Sequence, residues 1–288
     1  MEASTRPKVG QRMMTEAPEN KHFVRLVEAL SPWLEQMVII GGWAHRLYRL
    51  HTLSQPLEFE PLATLDTDIA VPKKLEVKDE DVPTRLKASR FNEEFFGEHR
   101  PPVTHYTLGE RGGGFYAEFL TPLIGGTENR GKPTATLSVA GVNSQKLRYL
   151  EMLLNAPWRV TLENSSGFLV KRPTVVQIPN AAAYLAQKLL IHDRRKRKER
   201  AKDAMYIHDT IQTFGRSLPR LRHEWAENDR TILSGKEAAR VTNSVGEVFG
   251  AVTDTIRNAA IEAAATGRSV IPEDLRAVCY LGLTQIFV

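Results

Sequence analysis

The chain is poor in the residues that mark several protein classes. Cys279 is the only cysteine among 288 residues. An intrachain disulfide is therefore excluded, as is a C-x-x-C motif for zinc or redox chemistry. The eight histidines form no ligand-like cluster, so zinc is not expected. No apolar run approaches the ~20 residues that a membrane-spanning helix needs. The opening stretch MEASTRPKVGQRMMTEAPENK has no apolar signal-peptide region. A cytoplasmic protein with no membrane association is the expectation. Neither charge sign dominates: the net charge is +5 and the pI about 9.3. That is a weak preference for anionic partners such as nucleotides or RNA. What remains is ordinary globular composition, 42% hydrophobic and 25% charged.

Residues 1–20 are polar and aperiodic and read as a mobile tail. Residues 22–36 carry Phe23, Leu26, Val27 and Leu30 at helical spacing. MVIIGG reads as a strand entering a tight turn, and WAHRLYRLH as the helix after it. LATLDTDIAV is the next strand. Residues 72–102 suggest a helix between loops. TLGERGGGFYAEFLTPL suggests a hairpin turning at Gly112–Gly114, and residues 124–134 a loop. ATLSVAG, WRVTLE, FLVKR and TVVQIP are further strand candidates. From Asn180 the texture changes to helix formers, with helices over 196–214, 217–228, 235–249, 251–266 and 273–282. The expected class is α+β: a mixed-sheet unit over 21–179, then a helical domain over 180–288.

One stretch is chemically odd. In PLATLDTDIAV, Asp66 and Asp68 sit inside a β-branched run. Side chains two apart on a strand share a face, so the two carboxylates point the same way. Side by side they repel, and each is costly to desolvate without a partner. A divalent cation removes the repulsion, and Mg²⁺ commonly takes one or two carboxylates together with substrate phosphates. Taken alone, an Asp-x-Asp is as readily a pair of solvated acids at a strand end. Its neighbours make it more specific. Upstream, VIIGGWAHRLYRL places Gly41 and Gly42 between a strand and a helix, where backbone can approach a phosphate. Downstream, YAEFL carries one acid, Glu118, in an apolar strand, where an unpaired carboxylate is unusual.

The order VIIGG, TLDTDIAV, YAEFL resembles the DNA polymerase β-type nucleotidyltransferase superfamily. GGWAHRLYR followed by TLDTDIAV is similar to the bacterial branch that includes AbiEii-type toxins. The resemblance covers about residues 37–215, and the insertion HTLSQPLEFEPLA lengthens the gap from Gly42 to Asp66. It implies a nucleotidyltransferase core with flanking helices and two-metal chemistry on an NTP. Asp66 and Asp68 would hold Mg²⁺ (or Mn²⁺), with Glu118 completing the site or serving as general base. Gly41 and Gly42 would position the phosphates. Thr64, on the face of the two aspartates, could support them or a phosphate oxygen. In the toxin branch the acceptor is plausibly a tRNA 3′ end, and an antitoxin protein would be a partner. Protein hydroxyls, small-molecule acceptors and a degenerate nucleotide- or RNA-binding protein stay open as alternatives.

The second informative segment is AAYLAQKLLIHDRRKRKERAKDAMYIHDTI. Seven of the nine residues from Arg194 to Lys202 are basic. Arg194, Arg195, Lys196, Arg197 and Lys198 form either a solvated helix face or a ridge for nucleic-acid phosphates. No aromatic residues interleave with them, so base stacking is not expected there. The resemblance implies that Lys188 contacts the nucleotide and that the RAKD motif, with Lys202 and Asp203, faces the catalytic cleft. Without it, Lys188 reads as a snorkelling surface lysine and Asp203 as a helix-surface acid.

Three other signals fall away. GTENRGKP nearly matches a P-loop, but Pro133 replaces the hydroxyl residue and no helix follows. DTDIA lacks the hydroxyl residue of haloacid-dehalogenase phosphatases, where this chain has Ala70. Glycosyltransferase Asp-x-Asp motifs lack the preceding Gly-Gly and helix.

Overall fold

The computed structural model describes residues 18–76, 78–96, 102–109, 114–123, 128–129, 132–133, 136–139 and 141–288. Helix α1 (Pro18–Ala29) leads to strand β1 (Val38–Ile39) and helix α2 (Gly41–Leu47). Strand β2 (Asp66–Ala70), helix α3 (Val82–Ala88) and strands β3 (Asn92–Phe96), β4 (Val103–Leu108) and β5 (Phe115–Pro122) follow. Strands β6 (Glu128–Asn129) and β7 (Lys132–Pro133) form a short antiparallel pair. Strands β8 (Thr136–Val139) and β9 (Val142–Leu147) form a hairpin. Helix α4 (Leu150–Leu154) precedes the antiparallel strands β10 (Trp158–Leu162) and β11 (Thr174–Ile178). Beyond Asn180 come helices α5 (Ala181–Ile191), α6 (Arg197–Thr213), α7 (Leu218–Glu224), α8 (Gly235–Phe249), α9 (Asp254–Ala265) and α10 (Pro272–Phe287).

The main sheet is mixed, in the order β1-β2-β5-β4-β3, with β9 also pairing with β5 and β8 with β9. β1 runs antiparallel to β2, whereas β2 and β5 are parallel. The fold is therefore α+β, as the pattern predicts. Buried apolar side chains from Phe23 and Trp43 through to Leu283 and Phe287 form one contiguous cluster. That continuity presses α5 and α6 against the first half of the chain. Among the described residues no helix is long and apolar enough to cross a membrane.

Several expectations are corrected. Residues 18–20 begin α1 and are not tail: Arg46 pairs with Glu19 at 3.1 Å, and Asn20 donates to the Gly167 carbonyl at 3.1 Å. Residues 1–17 lie outside the described residues, as do Gly112 and Gly113 of the expected hairpin turn. That hairpin is present as β4 and β5. FLVKR is not a strand. The Asn164 side chain captures the Val170 amide at 3.1 Å, and Gly167 at φ +82° turns the chain just before it. Its donors are thus satisfied locally. The segment read as a loop over 124–134 carries β6 and β7, so Lys132 lies on a strand and not at a helix start; its other residues are outside those described. The catalytic-strand candidate is shorter than its pattern and begins at Asp66. β3, β9 and the short α4 went unread.

One buried joint fixes where α5 starts. Asn180 caps it, accepting the Ala183 amide at 2.8 Å, and its own side-chain amide donates to Asp229 at 3.1 Å. Asp229 is fully buried at the end of the helical segment Trp225–Asp229, and its second carboxylate oxygen has no partner. Burial pushes its pKa up to about 7. The ordinary carboxylate value in an unfolded chain is near ~3.9. Protonation thus favours the folded state, and stability should fall as pH rises from about 4 to about 7. Asp229→Asn keeps the accepted hydrogen bond and removes the buried charge. Thermal denaturation should show the variant more stable than the parent at pH 8, by at most ~4 kcal/mol, with the gap closing near pH 4.

Candidate active site

Parallel pairing of β2 with β5 sets Asp66 opposite Tyr116 and Asp68 opposite Glu118. These four side chains share one sheet face by strand alternation. Thr67, Ile69, Ala117 and Phe119 fill the other face and are buried. The three carboxylates are half-buried, and their charges are not independent. Burial lifts the Asp68 pKa well above the ordinary range, and the Glu118 and Asp66 charges lift it further. Burial also acts to raise Glu118, but hydrogen bonds from His105 and Asp68 outweigh it and hold that carboxyl below its usual value. His105 Nε2 stands 3.2 Å from the Glu118 carboxylate. The fold therefore disfavours charge on Asp68 more than on Glu118. Thr64 is buried just ahead of the strand, and its hydroxyl donates to the Asp66 carboxylate.

The Gly pair packs directly on these acids. The Ile40 amide donates to the Asp68 carbonyl at 2.9 Å, which pins the turn to β2. Gly41 has φ +61°, and a Cβ there would collide with the Asp68 carboxylate. A Cβ on Gly42 would lie 2.7 Å from the Tyr206 hydroxyl and 2.9 Å from Thr64 Cβ. Both positions need glycine because backbone, carboxylate and two further side chains meet there.

Helices α5 and α6 supply positive charge. Lys188 is buried and not snorkelling: its Nζ donates to Asp203 Oδ1 at 2.6 Å and lies 5.3 and 5.2 Å from the Tyr184 and Tyr206 ring centres. Arg195 Nε donates to the other oxygen of Asp203 at 3.1 Å. Two cations on one buried carboxylate leave a net positive charge, and that of Lys188 acts on Asp68 to lower its pKa. Lys202 is further out, 5.6 Å from the Tyr206 ring centre. The Tyr206 hydroxyl is buried without a hydrogen-bond partner, and the Tyr184 hydroxyl donates to the Gly41 carbonyl at 3.4 Å.

The basic run divides in two. Arg195 belongs with Asp203, whereas Arg194, Lys196, Arg197 and Lys198 are exposed. α6 begins at Arg197, so these cations crowd a helix N-terminus, where the dipole disfavours positive charge. Helix stability therefore does not account for them.

Sequence reasoning missed Tyr184, Tyr206 and His105. The first two had a signal, since Tyr184–Lys188 and Lys202–Tyr206 are i,i+4 pairs. His105 is set by strand register alone, whereas alternation along the strand already puts Tyr116 on the face of Glu118.

The donor set suits a hard cation that arrives with its own ligands. Among the described residues no group of three or more His, Cys, Asp or Glu side chains converges tightly enough to hold a metal ion by itself. Mg²⁺ needs only one or two carboxylates when phosphates and water complete its shell. The Asp66 and Glu118 charges beside Asp68 push its pKa up, a repulsion that a cation would offset.

No curated protein matches the chain in sequence. A crystal structure of an antigenic nucleotidyltransferase-like protein from Paracoccidioides brasiliensis aligns over 89% of this chain and 96% of its own, at 15% identity and a TM-score of 0.37. A nucleotidyltransferase family model matches residues 19–229, a span that includes the carboxylates, the Gly pair and the Lys188–Asp203–Arg195 cluster, and the chain belongs to that nucleotidyltransferase family.

Proposed function

We propose that this protein transfers a nucleoside monophosphate from an NTP to an acceptor hydroxyl, with Mg²⁺ or Mn²⁺ held by Asp66 and Asp68 and the set completed by Glu118. The observation that carries the reading is the register of β2 on β5, which stacks Asp68 against Glu118 beside the Gly41–Gly42 turn. The bound ion would neutralise the carboxylates and the triphosphate and acidify the acceptor hydroxyl. Lys188, held by Asp203, faces the leaving phosphates with a fixed positive charge. Gly41 and Gly42 leave room for them beside the acids. The acceptor oxygen forms its bond to the α-phosphorus as the bond to the bridging oxygen breaks, and pyrophosphate leaves with that electron pair. The hydroxyl proton passes to Glu118, which His105 keeps ionised, and from there to water.

An RNA 3′ hydroxyl as acceptor is supported by Arg194, Lys196, Arg197 and Lys198, four exposed cations at the start of α6. A toxin-like use of this chemistry, with an antitoxin protein as partner, belongs to the same reading.

The direct test incubates the protein with each α-labelled NTP, Mg²⁺ and total tRNA, and resolves RNA and protein on gels. Label should appear on RNA. Label on protein alone would move the acceptor to a protein hydroxyl, and no label on either would overturn the RNA acceptor and leave a small-molecule acceptor or a non-catalytic nucleotide-binding protein. Asp68→Asn should abolish transfer while the melting temperature stays level or rises, because it removes a charge that burial and the neighbouring acids disfavour. A large drop in melting temperature would make the pair structural. Lys188→Ala should weaken NTP binding measured by calorimetry, and unchanged affinity would remove Lys188 from the site. Neutralising Arg194, Lys196, Arg197 and Lys198 together, with Arg195 left in place, should flatten the salt dependence of RNA binding. Four lost phosphate contacts would reduce the slope of log K against log salt by about 3.

A further inference from the structure

We infer that Phe96, His105 and Tyr116 form a stacking platform for the 3′-terminal base of a single-stranded polynucleotide acceptor. This rests on the nucleotide-transfer reading above and names the acceptor class and where its end sits.

The platform is built by register. Antiparallel pairing sets His105 of β4 opposite Glu118 of β5 and opposite Glu94 of β3, and sets Phe96 opposite Val103. Phe96, His105 and Tyr116 therefore lie on the face that carries the catalytic carboxylates. Their rings run in a row: Phe96 to His105 is 4.5 Å between centres, and His105 to Tyr116 is 4.8 Å with the planes only 12° apart. The inner end abuts the acids, since parallel pairing sets Tyr116 opposite Asp66 and two residues before Glu118 on β5. The outer end is open, with Phe96 44% exposed on the edge strand of the sheet. An exposed aromatic on an edge strand invites unwanted pairing, so folding alone gives no reason for it.

Two arguments choose the occupant. The first is sidedness. The groups suited to the triphosphate, Gly41, Gly42 and Lys188, lie on the β1 side of the carboxylates, whereas His105 and Phe96 lie beyond Glu118 on the other side. In phosphoryl transfer the entering and leaving oxygens are roughly in line. The acceptor must therefore approach over β4 and β3. The second is chemistry. β3, β4 and β5 contain no Lys or Arg, and Glu94 and Glu118 share the platform face. Such strands give phosphate no cation of their own. His105 and Tyr116 are stacked on each other, so the free side of the row is that of Phe96. A terminal nucleotide would extend the stack by laying its base on Phe96, which every base can do through its π-face, and present its hydroxyl to Glu118.

The test uses the full chain and a short single-stranded RNA with aminopurine as its 3′-terminal base, whose fluorescence is quenched on stacking. NTP binding is measured in parallel by calorimetry. Wild type should quench the probe. Phe96→Ala, a surface change that spares the core, should raise the RNA dissociation constant about tenfold and leave NTP affinity unchanged. In transfer assays KM for RNA should rise and KM for NTP should not. Quenching that Phe96→Ala leaves intact would overturn the platform. Loss of quenching when a non-hydrolysable NTP saturates the site would assign the rings to the NTP base, overturning the acceptor assignment. Wild type that binds NTP but never quenches the probe would exclude a nucleobase acceptor there. Failure to bind NTP at all would instead count against the transferase reading, and a quench lost in Phe96→Ala would still support the platform.

Discussion

The structure depends on holding three carboxylates against their mutual repulsion. Two unit charges ~4 Å apart still repel by about 4 kcal/mol at the effective dielectric of a protein surface. Asp66, Asp68 and Glu118 are forced together because the β2–β5 ladder leaves them no alternative face. The chain spreads the cost over different partners. The Lys188 charge acts on Asp68, the His105 ring supports Glu118, and the Thr64 hydroxyl supports Asp66. None of these is a full counter-ion. On the proposed reading, a cation delivered with a triphosphate would relieve what the fold leaves unresolved, and substrate affinity and electrostatic tension would have the same origin.

The positive side of the site is built differently. Lys188 and Arg195 share Asp203, and all three are fixed by burial or hydrogen bonds before any ligand arrives. Removing Asp203 would leave a buried ammonium without its partner, which is why a carboxylate stands where only positive charge would seem useful. The glycines complete the arrangement from below. They bring α2 so near the acids and Tyr206 that any side chain would clash. Rigid cations and a close backbone thus stand beside acids that repel one another.

The sequence carried the local part of this. Asp66 and Asp68 were legible because two-residue alternation places neighbours on one face, and Glu118 stood out as an acid in an apolar strand. The helical region after Asn180 was legible from its residue types. What pairs Asp68 with Glu118 was not, because the chain passes through α3, β3 and β4 between them and no local signal encodes that register. His105 was invisible for the same reason. β3 was missed because NEEFF reads as a charged loop, with Arg90 in the left-handed region just before it. The basic run looked uniform as a string, but folding turns Arg195 inward to Asp203 and leaves its neighbours in solvent.

On the proposed reading these contrasts bear on selectivity. On one side of the acids, recognition would be by charge and backbone clearance. On the other, it would be by an aromatic stack on strands that carry no Lys or Arg. Neither mode reads the hydrogen-bonding edge of a base: ion pairs see phosphates, and stacking accepts any π-face. Discrimination among acceptors must then come from whether an unpaired end can reach across the sheet to Glu118 while its phosphates avoid Glu94. A strand held in a duplex keeps its terminal base stacked on its neighbour and cannot lie on the rings without unpairing. A short single-stranded overhang meets the requirement at no such cost, so the geometry of the carboxylate face selects for the form of the acceptor's end before its sequence.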